Sequence, residues 1–236
     1  MRILAEGCYP LQKIRYALTD TSHFPLAMND ILWNLVIANP KGGCGKTTLA
    51  TNLASYYAGQ GLPVALVDHD EQKSSLDWAR GRPARCAPIQ ILTPEDEVPP
   101  YSIIISDTSA GLSIPRLMDL LTGNYRLLIP ILPSPTDIKA AVRYLMNLSR
   151  VDAPPDKRRV AFVANRVSTQ TRYFKVLEEF LSHVEYPLIT ALRNTQNYVK
   201  AAEAGASIFD FPASRFKQDQ HHFQPLLNWL EQPVAE

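Results

Sequence analysis

Eight consecutive residues have the composition of a phosphate-binding loop. A short apolar run precedes them, a helical pattern follows, and they read Lys41-Gly42-Gly43-Cys44-Gly45-Lys46-Thr47-Thr48. Glycines let backbone N–H groups curl around phosphate oxygens, and the start of the following helix adds its positive dipole end. In such loops the lysine reaches the outer phosphates and the threonine hydroxyl binds magnesium. The segment therefore predicts a nucleotide site in which Lys46 holds phosphates and Thr47 holds Mg²⁺.

The loop departs in two ways from the common pattern G-x-x-x-x-G-K-[ST]. Pro40 stands at the first glycine position, and Lys41 adds a second lysine five residues before Lys46. The segment resembles the deviant Walker A loop, KGGxGKTT, of the ParA/MinD family of ATPases. This resemblance implies that ATP is sandwiched in a homodimer, with Lys41 directed at the partner's phosphates in the role that an arginine finger plays elsewhere.

Two carboxylates follow later apolar runs in the order that the family shows. Residues 68–72 read D-H-D-E-Q and look like the family's D-x-D-P-Q, with Glu71 in place of the proline. The resemblance makes Asp70 the catalytic residue that positions water and holds Mg²⁺ through water; capping of the next helix is the alternative. Asp107, after the run 103–105, looks like the Walker B aspartate, which would hold Mg²⁺ through water.

Two more segments extend the resemblance. Residues 133–137, P-S-P-T-D, resemble a segment of small plasmid-partition ATPases, although a proline-led helix start explains them equally well. Asn165 and Arg166 end a later apolar run, and the family has an adenine-binding asparagine near this point. An amide suits that task because it offers both a donor and an acceptor. A turn asparagine is the alternative.

The C-terminal third, 192–209, resembles the end of the same small ATPases. ParA-like dimers bind DNA without sequence preference through basic residues near the C-terminal helices. By position, the candidates here are Arg193, Lys200, Arg215 and Lys217. An ordinary solvated charge is the alternative for each of them. Contact with DNA phosphates alone would be sensitive to salt.

Short apolar runs alternate with amphipathic helical patterns along the chain. The predicted strands are 35–38, 64–67, 103–105, 127–129 and 160–163, and apolar stripes mark helices around 49–57, 138–148 and 174–181. This alternation predicts an α/β fold of the P-loop NTPase kind, a doubly wound, mainly parallel sheet flanked by helices on both faces. We divide the chain into an N-terminal extension of unknown role, 1–31, and one ATPase domain, 32–236. The extension includes a short helix over 10–18 and a candidate start site at Met28.

Composition excludes several classes of protein. The 236 residues carry 24 Lys and Arg against 23 Asp and Glu, a net charge of +1, and 46% are hydrophobic, which excludes disorder and histone-like basicity. Cys8, Cys44 and Cys86 form no CxxC pair. Their spacing argues against a disulfide framework and a zinc or iron–sulfur site, and so against the redox and metal-carrier relatives. No apolar run reaches 18 residues, so we expect no membrane span and a cytoplasmic, nucleoid-associated protein.

These observations favour a slow ATPase that uses ATP and Mg²⁺ and acts as a switch. ATP would close the dimer, the dimer would bind DNA, and a ParB-like or small DNA-binding adaptor would stimulate hydrolysis and release, positioning a plasmid, a chromosomal locus or another large cargo. A non-hydrolysing binding module stays open because of Glu71. The bacterial tyrosine kinases are excluded because a terminal tyrosine cluster is absent.

A MinD-like, membrane-associated regulator is the alternative function. Such a protein needs a basic amphipathic C-terminal helix, and no Lys or Arg follows Lys217. We expect the apolar residues of that segment to pack onto the domain instead. They are Phe223, Leu226, Leu227, Trp229 and Leu230.

Overall fold

The computed structural model describes residues 33–98 and 103–233. The extension 1–31, with its predicted helix over 10–18, its candidate start at Met28 and Cys8, lies outside these residues. The Pro99-Pro100 dipeptide lies outside them as well.

Seven strands form one sheet in the described residues. They are β1 (Trp33–Ile37), β2 (Val64–Asp68), β3 (Gln90–Leu92), β4 (Ile103–Asp107), β5 (Tyr125–Ile131), β6 (Val160–Val167) and β7 (Leu188–Arg193). Their order is β3-β2-β4-β1-β5-β6-β7, and every neighbouring pair is parallel. The five predicted strands are β1, β2, β4, β5 and β6, and the prediction of a parallel sheet is confirmed.

Seven α-helices connect and cover the described strands. They are α1 (Lys46–Gly59), α2 (Ser74–Arg80), α3 (Ile114–Leu120), α4 (Pro135–Leu148), α5 (Arg172–Ser182), α6 (Asn197–Glu203) and α7 (Ala213–Glu231). Short 3₁₀ turns cover Lys157–Arg159 and Ile208–Asp210. Helix α4 begins as a proline-led helix does: Pro135 takes the first position, and the Ser134 side chain accepts a hydrogen bond from the Asp137 N–H.

The sheet is covered on both faces because successive strand residues point to opposite sides. In β1, Leu35 and Ile37 enter a core with α1, α2, α6 and α7, whereas Val36 enters a second core with α3, α4 and α5. The doubly wound arrangement is therefore confirmed. One residue of the predicted apolar stripe on α4 is wrong: Val142 is exposed, and Tyr144 is buried in its place. The predicted stripe comprised Ile138, Ala141, Val142, Leu145 and Leu148. The buried face of α4 is centred on residues 137, 141, 144 and 148, and Val142 lies a third of a turn away.

The last described helix packs on the sheet through its apolar side. Phe223, Leu226, Leu227 and Leu230 are buried, and Trp229 is partly buried against the same core. The prediction that these side chains pack onto the domain is confirmed. Across residues 33–98 and 103–233, no helix has the length and apolar character needed to cross a membrane.

Candidate functional site

The phosphate loop joins the carboxyl end of β1 to α1. Gly43 and Gly45 have φ of +73° and +99°, a backbone region that side chains disfavour. Gly45 has a second reason to lack a side chain, because a Cβ there would lie 2.0 Å from Nδ2 of Asn165. That Nδ2 donates a hydrogen bond to the Cys44 carbonyl at 2.8 Å. The side-chain amide of Asn165, a residue of β6, therefore fixes the position of the loop that follows β1.

The two loop lysines have different surroundings. Lys46 is buried, and its Nζ donates to the carbonyl oxygens of Asn39 at 3.4 Å and Lys41 at 3.2 Å. The Lys41 side chain is only partly buried, and its ammonium group makes no hydrogen bond or ion pair within the described residues. Its backbone N–H is fixed by Oδ1 of Asn39 at 2.7 Å. The ammonium group of Lys46 is thus bound to carbonyl oxygens of the loop region, whereas the ammonium group of Lys41 has no partner within the described residues.

Thr47 and Asp107 meet beneath the loop, as a magnesium site requires. Asp107 ends β4, in register with Ile37 of β1 and Asp68 of β2. Its carboxylate accepts a hydrogen bond from Ser75 Oγ at 2.5 Å. Burial raises the pKa of Asp107 to about 6, more than the Ser75 hydroxyl and the neighbouring Thr47 side chain lower it. A buried carboxylate whose charge is incompletely compensated is suited to a nearby cation.

The donor set at this position fits magnesium. Mg²⁺ binds proteins through few oxygen ligands, keeping waters and substrate phosphates for the other positions. Within the described residues, no group of three or more His, Cys, Asp or Glu side chains could hold a metal ion by itself. Thr47 could bind Mg²⁺ directly, and Asp107 could bind it through water.

The loop after β2 borders the same cleft. Asp68 is buried, and its oxygens accept hydrogen bonds at 3.0 Å from the N–H groups of Asp70 and Leu76. The carboxylate of Asp70 accepts from the Gln72 N–H at 3.0 Å. Helix α2 begins after Lys73, whose own side chain makes no capping hydrogen bond, and the carboxylate that accepts from its first turn is that of Asp68. Asp70 therefore shapes its own turn instead of capping that helix, which was the alternative explanation for it.

A cleft of about 660 Å³ brings these groups together. It is lined by the loop residues Gly42, Gly43, Gly45, Lys46, Thr47 and Thr48, by residues 69–72 and Ser74, and by Ser109, Ala110 and Arg166. Arg166 has φ of +51° at the end of the β6 bulge region, an uncommon conformation for a residue with a side chain. Four of the residues predicted for the nucleotide and metal site do not line the cleft: Lys41, Cys44, Asp107 and Asn165.

Cys44 and Asn165 act on the loop from inside the protein. The Cys44 thiol is buried and donates to the Lys41 carbonyl at 3.3 Å, and burial raises the pKa of that thiol. The Asn165 amide donates to Cys44 and accepts from the Arg166 N–H at 2.9 Å. The adenine contact predicted for Asn165 stays a prediction, and both ends of its amide already have partners within the chain.

The four predicted DNA-binding cations lie on the C-terminal side of the domain in unequal settings. Lys200 and Lys217 are exposed and have no hydrogen bond or ion pair within the described part of the chain. Arg215 stacks over the ring of Phe211 at 4.6 Å. Arg193 forms a two-point ion pair with the fully buried Asp219. Burial raises the pKa of Asp219, but hydrogen bonds from Arg193 and Asn197 outweigh it and hold that pKa below its usual value.

Sequence reasoning missed three residues that build the site. Asn39 fixes the start of the loop through Lys41 and donates to the Pro130 carbonyl at 2.6 Å. Asp68 organises the loop after β2, and Ser75 holds Asp107. Asn39 and Asp68 each stand where a predicted strand ends, which was a usable signal. Ser75 had none, because its contact with Asp107 spans 32 residues of sequence.

Comparisons with known proteins agree with this geometry. The family model described as the CobQ/CobB/MinD/ParA nucleotide binding domain matches residues 35–208. Maintenance of carboxysome distribution protein A from Halothiobacillus neapolitanus is 27% identical over 192 residues, which cover 77% of this chain and 88% of that protein.

Solved structures show the same fold. MinD of Aquifex aeolicus, in its complex with MinC, superposes with a TM-score of 0.65 at 18% identity, over 86% of this chain and 97% of that one. A Cyanothece McdA variant bound to ATP superposes with a TM-score of 0.60 at 15% identity, over 89% of this chain and all of that one.

Proposed function

The chain belongs to the CobQ/CobB/MinD/ParA family of nucleotide-binding domains, and from this membership we propose that it is an ATP-dependent switch that positions a large cargo. The family resemblance is confirmed, as is the P-loop NTPase fold. The observation that carries the proposal is the contrast between the two loop lysines. Lys46 points into its own loop, whereas the Lys41 ammonium group is free within the described residues. A free lysine beside a phosphate loop is available to the nucleotide of a second protomer.

The site supports ATP hydrolysis with magnesium. Lys46 would hold the outer phosphates, Thr47 and Asp107 would hold Mg²⁺, and Asp70 would orient the attacking water or a water on the metal. Bound Mg²⁺ supplies neutralisation of the charge that develops on the phosphates. Glu71 lines the same cleft, at the position where the family pattern that this segment resembles has proline, and its negative charge near the phosphates favours slow turnover. Slow turnover suits a timing switch that a partner accelerates.

We further propose that the ATP-bound dimer binds DNA without sequence preference and is linked to its cargo by an adaptor. Lys200 and Lys217, both exposed and free within the described residues, are the best-placed phosphate contacts. The relative from Halothiobacillus is named for the distribution of carboxysomes. The cargo class accordingly includes protein compartments as well as plasmids or chromosomal loci. Such a protein would be cytoplasmic and nucleoid-associated.

Co-sedimentation with DNA tests this function, with ATP, ADP or no nucleotide, at low and moderate salt. We expect binding only with ATP, and weaker binding at higher salt. Lys46→Ala should abolish ATP binding. Lys41→Ala should keep ATP binding but lose the ATP-dependent dimer on size-exclusion chromatography. Arg80→Ala, at an exposed position, is the matched control and should behave like the wild type.

Two results would contradict the proposal. DNA binding that is equal in every nucleotide state would exclude an ATP switch. ATP-dependent binding to anionic liposomes without any DNA binding would favour the MinD-like membrane regulator, although the apolar side of α7 is buried in the domain.

A further inference from the structure

Exposed apolar side chains concentrate on two neighbouring helices. Of the five large apolar side chains that are exposed in the described residues, four lie on α4 and α5; Val142 is 37% exposed, Met146 48%, Tyr173 55% and Val176 41%. The fifth, Val199, lies on α6. Single exposed apolar residues are ordinary, whereas a contiguous group marks a binding surface. These four form such a group if the two helices turn them towards each other.

Helix phase shows that they do. Val142 follows the buried Ala141 by one position, whereas Val176 precedes the buried Leu177 by one. One flank of α4 is thereby apolar, and so is the opposite flank of α5. Both helices pack on the same core and connect adjacent parallel strands, β5 to β6 and β6 to β7, so they lie side by side. With right-handed connections, the apolar flank of α4 faces the apolar flank of α5.

The result is an apolar groove between α4 and α5. Its rim carries the four exposed side chains. Its floor is formed by partly buried side chains that pack on the core below. These are Ile138, Leu145 and Phe180.

The outer surface of α4 beside the groove is basic. Lys139 and Arg143 are exposed on α4, and Arg150 is exposed two residues after its end; their side chains form no ion pair or hydrogen bond within the described residues. The exposed acidic side chains of the pair of helices, Glu178 and Glu179, are both on α5. An occupant of the groove therefore meets apolar side chains below and an excess of positive charge along one side.

We propose that this groove binds an acidic amphipathic helix of a partner protein. Apolar anchors would fill the groove, and acidic residues beside them would face Lys139, Arg143 and Arg150. DNA is a poorer match, because phosphate contacts need no exposed Val, Met or Tyr. A second copy of this chain is also a poorer match, because a two-fold contact would oppose the same cations. The proposal deepens the proposed function, since a positioning ATPase needs an adaptor, and this surface supplies its chemistry.

A displayed peptide library tests the proposal. The peptides have about 18 residues, or five helical turns, with apolar residues at i, i+3, i+4 and i+7 and random residues elsewhere. We expect selection on the wild-type protein to enrich peptides of net negative charge. One enriched peptide is then synthesised, labelled and titrated by fluorescence anisotropy. Val142→Glu and Arg143→Glu should each weaken its binding by about tenfold or more, a loss of about 1.4 kcal/mol.

Matched controls separate this surface from others. Val199→Glu and Arg80→Glu place the same changes at exposed positions elsewhere and should alter peptide affinity by less than about twofold. No enrichment, enrichment of basic peptides, or equal losses in the control variants would overturn the proposal. Two further results would also overturn it by assigning the face to another occupant: competition by a DNA duplex of about 24 base pairs, or a dimer that Val142→Glu dissociates without nucleotide.

The proposed function can be tested separately from peptide binding by the groove. Val142→Glu should keep the basal ATPase rate and ATP-dependent DNA binding of the wild type. Lys46→Ala should keep peptide binding while losing ATP binding. Loss of the switch with retained peptide binding would contradict the proposed function alone.

Discussion

At the scale of single residues, the site depends on side chains that need not touch the nucleotide. Asn165 reaches from β6 to the Cys44 carbonyl, and Gly45 must be glycine partly because Asn165 occupies the space of a Cβ. Asn39 holds the other end of the loop. The shape of the loop is thus determined by two amides at the ends of two strands, and each amide can be tested by mutation.

Asn165→Ala should weaken binding of ATP and GTP equally. The mutation removes the hydrogen bond that positions the loop, so the expected loss is about fivefold, corresponding to about 1 kcal/mol for one hydrogen bond. Isothermal titration with both nucleotides measures it. Asn147→Ala, at an exposed position of α4, is the control and should bind both normally. A loss confined to ATP would instead support the adenine contact predicted from the family resemblance.

Asp107→Asn should stabilise the nucleotide-free protein at neutral pH. The pKa of Asp107 is raised by burial to about 6, from an ordinary value of 3.8, so the folded state favours the protonated carboxyl. The stability that this preference contributes is fully present below the unfolded-state pKa and is lost as pH rises through about 6. The loss in the free energy of unfolding is on the order of 2–3 kcal/mol, at about 1.4 kcal/mol per pH unit. The amide of Asp107→Asn does not ionise, so the variant should not lose this stability.

Urea unfolding without magnesium, at a series of pH values from about 4.5 to 8, measures this difference. The variant should exceed the wild type most at the highest pH, and the difference should shrink towards the lowest. It should also lose magnesium-dependent ATP hydrolysis. Asp119→Asn, at an exposed position, should show no such trend. Parallel pH profiles for Asp107→Asn and the wild type would mean that burial does not strain this carboxylate.

At the scale of elements, the sequence predicted the strands and helices that contain continuous or periodic apolar runs. It missed the strands and helices whose burial depends on partners far along the chain. The run 127–129 lies in the buried interior of β5 and was recognised; β7, at the sheet edge, is mostly half-buried and shows no such run. Strand β3 has only three residues. The contacts of α2 come from far along the chain: Trp78 donates its indole N–H to the Ala206 carbonyl at 3.1 Å. No local pattern encodes such a contact.

The same long-range junction contains a buried ion pair whose loss should be costly. Arg82 donates two hydrogen bonds to Asp210, at 2.9 and 2.8 Å, and both side chains are almost fully buried. Arg82→Ala would leave the Asp210 carboxylate buried without its cation, so we expect a loss of about 3 kcal/mol in the free energy of unfolding.

Arg80→Ala is the matched control for this loss. Its ion pair with Asp77 is exposed, so chemical denaturation should show a change below about 0.5 kcal/mol. Equal effects of Arg80→Ala and Arg82→Ala would show that the buried pair does not hold α2 to the C-terminal segment.

In the C-terminal part of the domain, three of the four predicted DNA contacts should separate into two groups. Lys200→Ala combined with Lys217→Ala should weaken ATP-dependent DNA binding and reduce its salt dependence by about two phosphate contacts, without changing the thermal midpoint. Arg193→Ala should lower the thermal midpoint instead, because the buried Asp219 would lose its only cationic partner in the described residues and keep only the hydrogen bond from Asn197. Salt titrations of DNA affinity, together with thermal unfolding, distinguish a loss of DNA contacts from a loss of stability. If Arg193→Ala were as stable as the wild type but bound DNA more weakly, Arg193 would be a DNA contact and not a structural residue.

At the scale of the whole molecule, function follows from the order of the strands. The order β2-β4-β1 sets the carboxyl ends of these three strands side by side, so that Asp68, Asp107 and the phosphate loop meet, although up to 70 residues of sequence separate them. Periodicity predicted a parallel sheet but not this order. The resemblance of the loop and of the two acidic segments to one family grouped the phosphate loop, Asp70 and Asp107 into a single site, but it left out Asp68.

The described sheet also indicates how much of the chain the domain needs. Strand β1 is hydrogen-bonded to β4 and β5, with pairing that begins at Trp33 and Asn34, and Trp33 packs edge-on against Tyr57 with ring centroids 5.0 Å apart. We therefore propose that the ATPase domain comprises residues 32–236 and that the extension 1–31 serves another role.

A chain that begins at Met28 should then fold and bind ATP as the full chain does. We expect its thermal midpoint to lie within about 3 °C of the full chain, corresponding to about 1 kcal/mol for a protein of this size, with unchanged ATP affinity. A chain that begins at Val36 is the matched control, because it lacks Trp33 and Leu35 and leaves a gap between β4 and β5; it should not fold. Loss of ATP binding in the chain that begins at Met28 would mean that residues before Met28 form part of the domain, because nothing else differs between the two proteins.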